Sequence, residues 1–279
     1  MTAAVRAGSG EGMSSEMEDV LLLSRDEGLL TLTMNRPESR NALNLAMLEQ
    51  MLDALRGAER DSEIRAIVLT GSGKAFCSGG DVKAMAAGSE RAATFDRRVR
   101  DLRMRMEVSR LLHQIPKPTI AAIRGAAAGA GLSLALACDL RIATPDSKFT
   151  TAFAKVGLSG DFGGSYFLPK IVGGAKAREL YLLSPVLDGE EALRIGLVNR
   201  LAPDERFEEE VRTLAKGLAD GPTVALGYIK ENLNLAEQAD LAAVFDAEAI
   251  RHTRCGMTDD HKEAAQAFVE KRAPAFRGQ

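Results

Sequence analysis

"KPTIAAIRGAAAGAGLSLALACDLRIA", residues 117–143, is the stretch on which the fold turns. Its first part, "KPTIAAIRG" (117–125), is a short apolar run opened by Pro118 and reads as a buried strand. "AGLSLALACD" (130–139) reads as a short buried helix, and "LRIATP" (140–145) as another strand. Strand, helix and strand in this order predict an α/β layer structure with parallel pairing.

The same alternation extends toward the N-terminus. "DVLLLSRDEGLLTLTMN" (19–35) reads as two strands with a turn at Asp26–Gly28. "LAMLEQMLDALRGAERD" (45–61) carries apolar residues at helical spacing. "IRAIVLTG" (64–71) is rich in Ile and Val, closes on Gly, and reads as a buried strand. A long charged helix is expected over about 90–114. After about residue 173 nearly every segment is helical, and only "LVNRLA" (197–202) looks extended. Asp188, before "GEEAL", fits a helix N-cap. The expected organisation is a disordered tail (1–17), an α/β core (18–205) and a helical C-terminal region (206–279).

A chain of 279 residues with 46% hydrophobic and 27% charged residues has the composition of a globular protein with a sizeable core. Its 36 Lys+Arg against 39 Asp+Glu leave a net charge of −3 and no basic stripe, which argues against nucleic acid as a partner. The three cysteines, Cys77, Cys138 and Cys255, are scattered and odd in number, which points to a reducing compartment, the cytoplasm. The first 17 residues hold no apolar stretch of a signal peptide, and no run is long enough to span a membrane.

Two loops stand out: "KAFCSGGDVKAM" (74–85) and "RGAAAGAGLSLALACD" (124–139). Each follows a buried strand, passes through small residues and enters a helix. The first N–H groups of a helix have no internal acceptor. Two such junctions at one sheet edge would aim two N–H groups at a single oxygen, the arrangement that stabilises an enolate or a tetrahedral oxyanion. Tight helix–strand packing demands the same small residues.

Other signatures fail. No His, Cys or acidic cluster has metal-ligand spacing. "GAGLSL" has Leu134 where a dinucleotide fingerprint needs its third small residue, and "GSGKAF" lacks the spacer of a phosphate loop. "GLSGD" has Asp161 in place of the last glycine of a nucleophile elbow. A serine hydrolase built on Ser159 would need one of His113, His252 or His261. Asp161 itself lies in "VGLSGDFGG" (156–164), among four glycines. It reads either as a turn residue or as an acid desolvated by Phe153, Val156, Leu158 and Phe162.

Taken together, "LTLTMNRPESRNALN" (30–44), "AFCSGGDVKAM", the opening stretch, "GLVNRLAP" (196–203) and "AAQAFVEKRAPAFRG" (264–278) make a specific pattern. It resembles the crotonase (enoyl-CoA hydratase/isomerase) superfamily over nearly all of residues 18–279. The resemblance implies a core of repeated ββα units and a helical C-terminal region used in trimers, often paired into hexamers. It also implies a coenzyme A thioester as ligand, with no separate cofactor.

Carried over residue by residue, the resemblance gives Gly80 and Ala130 as backbone donors of an oxyanion hole. Ser39, Arg40, Ala42, Asp81, Val82 and Lys83 match positions bordering the coenzyme, although Lys83 reads equally well as a solvated helix residue and Asp81 as an N-cap. Phe153 lies on the substrate side. Phe268 and Lys271 match residues lent to the site by a neighbouring subunit. The two catalytic glutamates of the hydratases are replaced by Ser133 and Phe153. An Asp at the position of Asp161 does chemistry in dienoyl-CoA isomerases, naphthoate synthases and aryl-CoA dehalogenases of the superfamily. "AFAKVGLSGDFGGSYFLPKIVG" (152–173) is also similar to the enoyl-CoA isomerases of the phenylacetate pathway. The expectation is an isomerase working through Asp161, with hydration as the alternative and a non-catalytic CoA-ligand binder as a third.

Overall fold

The computed structural model describes residues 19–81 and 93–279. β1 (Leu21–Asp26) and β2 (Leu29–Met34) form an antiparallel hairpin around Glu27–Gly28. A 3-10 turn (Pro37–Ser39) leads to α1 (Leu45–Arg60). That helix starts at Asn44, whose side chain accepts from the N–H of Met47 at 2.9 Å. Then come β3 (Ala66–Gly71), β4 (Ala75–Cys77), α2 (Phe95–Arg105) and α3 (Glu107–Gln114). The opening stretch supplies β5 (Thr119–Ile123), β6 (Ala126–Ala128), α4 (Ala130–Ala137) and β7 (Leu140–Ala143). It is followed by β8 (Lys148–Thr150) and a 3-10 turn (Phe153–Val156). The rest is α5 (Gly164–Val172), α6 (Gly174–Leu183), α7 (Gly189–Arg194), β9 (Arg200–Leu201), α8 (Phe207–Ala219), α9 (Thr223–Ala236), α10 (Leu241–Cys255) and α11 (Asp259–Glu270).

Among the described residues the strands form two sheets. The larger has the order β1-β2-β3-β5-β7-β9, and the smaller has β4-β6-β8. All pairs beyond the first hairpin are parallel. Each long strand of the large sheet (β3, β5, β7) is followed at once by a three-residue strand of the small one, which makes the repeated unit. Alternation along β3 covers both of its faces. Ile67 and Leu69 face a core with Leu32, Met51, Leu55 and Phe76, while Val68 faces Phe207, Val211 and Ala215 of α8. Asp139 bolts the sheet to α9: it accepts from the Thr119 N–H at 2.7 Å and from the buried Lys230 ammonium at 2.8 Å.

Two expectations need correction. The charged helix expected over 90–114 is two helices meeting at Met106, and its beginning lies outside the described residues. The division follows burial: α2 buries none of its residues, whereas α3 docks through Val108, Leu111 and Leu112. The small sheet is implied only by the resemblance and is not assigned to residues, because strands of three residues, one of them all Ala, carry no periodic pattern. The expected N-cap at Asp188 is present, its carboxylate accepting from the Glu191 N–H at 2.9 Å. The tail 1–17 lies outside the described residues. Among the described residues no helix is long and apolar enough to cross a membrane.

Candidate active site

β4 and β6 lie side by side, so the loops that leave them are neighbours. They touch at Gly79 (φ +96°), where a Cβ would lie 2.9 Å from the Ala128 carbonyl oxygen and 3.4 Å from the Ala130 nitrogen. On the other side, a Cβ on Gly131 would fall 2.5 Å from the Cys77 carbonyl oxygen. The small residues that the sequence left open between two readings therefore serve packing, and that packing brings the two loops together.

The direction of the two N–H groups follows from peptide planarity. The Gly79 carbonyl accepts from the Leu43 N–H at 2.8 Å. In a trans peptide the next N–H points the opposite way, so the Gly80 N–H faces away from Leu43. The Gly129 carbonyl accepts from the Ser133 N–H at 3.0 Å, inside the first turn of α4. The Ala130 N–H accordingly points out of the N-terminal end of that helix. Gly129 has φ +51° and ψ −125°, a backbone conformation that essentially requires glycine.

The segment around residues 36–43 is clamped to the first loop. Ser78 donates its N–H to the Arg40 carbonyl at 3.0 Å and its hydroxyl to the Ser39 carbonyl at 3.2 Å. Arg36 reaches both the Ala42 carbonyl and the Asp81 carboxylate, the latter at 3.3 Å. Asp81 is thus tied to Arg36. Asn41, which the sequence reading passed over, is the hidden keystone. It is fully buried, accepts from the Arg36 N–H at 2.9 Å, and donates to the carbonyls of Ser72 and Ala75 at 2.9 and 2.7 Å. Val82 and Lys83 lie outside the described residues.

Asp161 follows β8 and its 3-10 turn, just before α5. The bland reading is half right: its carbonyl accepts from the Gly164 N–H at 3.1 Å, so the backbone does turn here. An Asp that merely builds a turn spends its side chain on nearby N–H groups. Here Oδ1 is buried with no hydrogen-bond partner among the described residues. Burial alone pushes the carboxyl up to about 6. The turn is also strained, because Phe162 adopts φ +48° while its ring is buried. Of the four apolar neighbours expected to desolvate the acid, Phe153 and Phe162 are buried. Val156 and Leu158 are 51% and 49% exposed in the single chain, because they lie on the outer side of the loop.

Ser133 and Phe153 occupy the positions where the resemblance would put two glutamates. Ser133 is buried on α4 and donates to the Gly129 carbonyl at 3.2 Å. Phe153 lies against Gly129, with a Cβ there 3.8 Å from its ring. Phe153 also stacks on Tyr181, centroids 6.0 Å apart and planes 6° from parallel. Tyr181 was invisible in the sequence, where it looks like one more residue of an apolar helix. Phe268 is 85% exposed near the end of α11, and Lys271 caps that helix with φ +54°.

Known proteins resemble this chain over most of its length. The family model described as enoyl-CoA hydratase/isomerase matches residues 24–279. The chain belongs to the enoyl-CoA hydratase/isomerase family. It is 38% identical to the 1,2-epoxyphenylacetyl-CoA isomerase of Escherichia coli (strain K12), over 94% of this chain and 100% of the relative. It is 42% identical to a probable enoyl-CoA hydratase of Rhodobacter capsulatus, over 90% of this chain and 95% of the relative. The crystal structure of a putative enoyl-CoA hydratase from Streptomyces coelicolor A3(2) superimposes with a TM-score of 0.90 at 37% identity, covering 99% of this chain and 100% of that one. Family membership bears out the crotonase-type α/β fold with its helical C-terminal region.

Ser159 is exposed, and no histidine hydrogen-bonds to it among the described residues. His113 instead packs edge-on against Tyr166 and Phe167. A hydrolase mechanism needs that missing base. Ser159→Ala is therefore expected to keep nearly all of its turnover of an acyl-CoA. A folded variant that has lost thioester cleavage present in wild type would restore the hydrolase reading.

Proposed function

We propose that this protein shifts a double bond, or rearranges an unsaturated or epoxidised acyl group, in a coenzyme A thioester. The observation that carries the reading is Asp161, a desolvated carboxylate whose Oδ1 has no partner among the described residues, on a turn that closes on Gly164 against Ser133 of α4. The thioester carbonyl oxygen sits between the N–H groups of Gly80 and Ala130, which stabilise the charge of a dienolate. With a 3-enoyl thioester, Asp161 takes a proton from the α carbon and returns it to the γ carbon. No ionisable group stands at Ser133 or Phe153, so one base serves both steps. The coenzyme arrives as part of the substrate, and the reaction calls for no separate cofactor or metal. Its adenosine and phosphates border Ser39, Arg40, Ala42, Asp81, Val82 and Lys83.

The test is a turnover screen in deuterium oxide with 3-enoyl, 2-enoyl, dienoyl and epoxidised arylacetyl thioesters. Expected is an isomerised product labelled at the α or γ carbon. A second reading, hydration, draws support from the relatives named as hydratases. It wins if 3-hydroxyacyl-CoA is the sole product.

The active unit in this proposal is a trimer or a pair of trimers in the cytoplasm. Two features support it. α10 buries none of its residues, and Ile229, Leu233 and Phe245 on α9 and α10 leave a broad apolar face open. Phe268 and Lys271 then complete a neighbour's site. Sedimentation at micromolar concentration is expected to show a trimer or hexamer, and a monomer would overturn both the assembly and the roles of those two residues.

A further inference from the structure

The turn that carries Asp161 is built around a side chain from another helix. Tyr181 projects from α6, and its ring lies along residues 160–164. A Cβ on Gly160 would lie 3.2 Å from Tyr181 Cε1. A Cβ on Gly164 would collide with the Tyr181 hydroxyl at 2.4 Å and with Ser133 Oγ at 2.5 Å. Two of the glycines around Asp161 thus make room for one aromatic ring. The ring also stacks on Phe153, which in turn leans on Gly129 at the entry of α4. One continuous stack therefore runs from the helix that presents the Ala130 N–H to the turn that presents Asp161. The Tyr181 hydroxyl has no hydrogen-bond partner among the described residues, so its ring is what it contributes.

We propose that Tyr181 is the positioning residue for Asp161: its ring, wedged between Gly160 and Gly164 and clamped by Phe153, fixes the turn and keeps water off one side of the carboxylate. The proposal rests on Asp161 being the acid/base of the site. Among the described residues, the charges on the neighbouring elements are exposed or engaged elsewhere. α4 carries no ionisable side chain. Lys155 on the 3-10 turn is exposed. Lys170 on α5 is bound to Glu237, and Lys176 on α6 to Glu179 at 2.7 Å. Arg178 lies against Gly174. Burial first, and the charge of Asp161 second, push the Tyr181 phenol up to about 12. A neutral ring is therefore what faces Asp161 at working pH.

The test reads Asp161 itself. In ligand-free full-length protein labelled with 13C at the aspartate carboxyls, the Asp161 resonance is assigned by its loss in Asp161→Asn and followed against pH. Wild type is expected to titrate near 6, and Tyr181→Phe, which keeps the ring, should match it. Tyr181→Ala opens the slot to water, so its midpoint should drop by about one pH unit or more toward the ordinary carboxylate range. Its kcat should fall at least about tenfold, and Phe at 181 should rescue it. If Tyr181→Ala does not fold, Tyr181→Leu, which loses the stack but suits the helix, should move the midpoint in the same direction. A folded Ala or Leu variant that titrates like wild type overturns the proposal, as does a Phe variant that behaves like Ala. Because the titration uses no substrate, it is independent of the reaction. Normal turnover by Asp161→Asn would sink the acid/base reading while leaving the titration result intact.

Discussion

Asp161→Asn should lower kcat on a 3-enoyl-CoA by about 10²–10⁴-fold, the usual range for a lost acid/base. Asparagine keeps the size and polarity of the side chain but cannot accept a proton. The two backbone donors are untouched, so thioester binding should persist and KM should move little. Wild type should place solvent deuterium at the α or γ carbon of the product, and the variant should not. The two acids that lie between the second loop and Asp161 are engaged elsewhere. Asp139 is spent on Thr119 and Lys230, and Asp146 on the Thr144 hydroxyl at 2.7 Å. Normal turnover by the variant would remove Asp161 from the mechanism.

The same residue sets a pH dependence. A base must be ionised before it takes a proton, and burial holds Asp161 up to about 6. The acid limb of kcat/KM, which reports the free enzyme, should therefore lie near that value and be absent from the residual activity of Asp161→Asn. Stability runs the other way. The folded carboxyl binds its proton more tightly than the unfolded one, so ionising it costs folding free energy. That cost is absent below about pH 4 and complete above about pH 6. Asp161→Asn should melt higher than wild type at about pH 8, with the gap closing in acid.

Much of this was legible in the sequence, for identifiable reasons. β3, β5 and β7 are apolar because both faces of the sheet are covered, and α1 shows its buried face at helical spacing. The two loops were visible as small residues after strands. The small sheet escaped because its strands are three residues long. Asn41 escaped because a buried asparagine looks like any turn residue until two of its three partners, Ser72 and Ala75, distant in the chain, are in place. Tyr181 escaped for a related reason: the glycines at 160 and 164 announce that something passes close by, but not what. The opposite error occurred at Val156 and Leu158, which look buried by composition yet lie on the outer side of their loop.

The backbone donors offer the other large effect. Ala130 is the first residue of α4, a position where proline's fixed φ fits a helix and its missing N–H breaks no helical bond. The preceding residue is usually restricted by a proline, but Gly129 has no side chain to clash. Ala130→Pro should therefore fold, while Ala130→Ser or Gly, which keep the N–H, should behave like wild type. Losing one donor to a developing oxyanion costs roughly 2.7–4 kcal/mol, or about 10²–10³ in kcat. The ring also fills the space the N–H addressed, so the discriminating measurement is kcat at saturating substrate, with coenzyme A binding measured separately. Asp161 should still titrate near 6 in this variant, since its own surroundings are unchanged. A folded Ala130→Pro protein that binds the coenzyme and turns over at the wild-type rate would mean that the thioester oxygen lies elsewhere. The two-loop geometry would then be packing and nothing more.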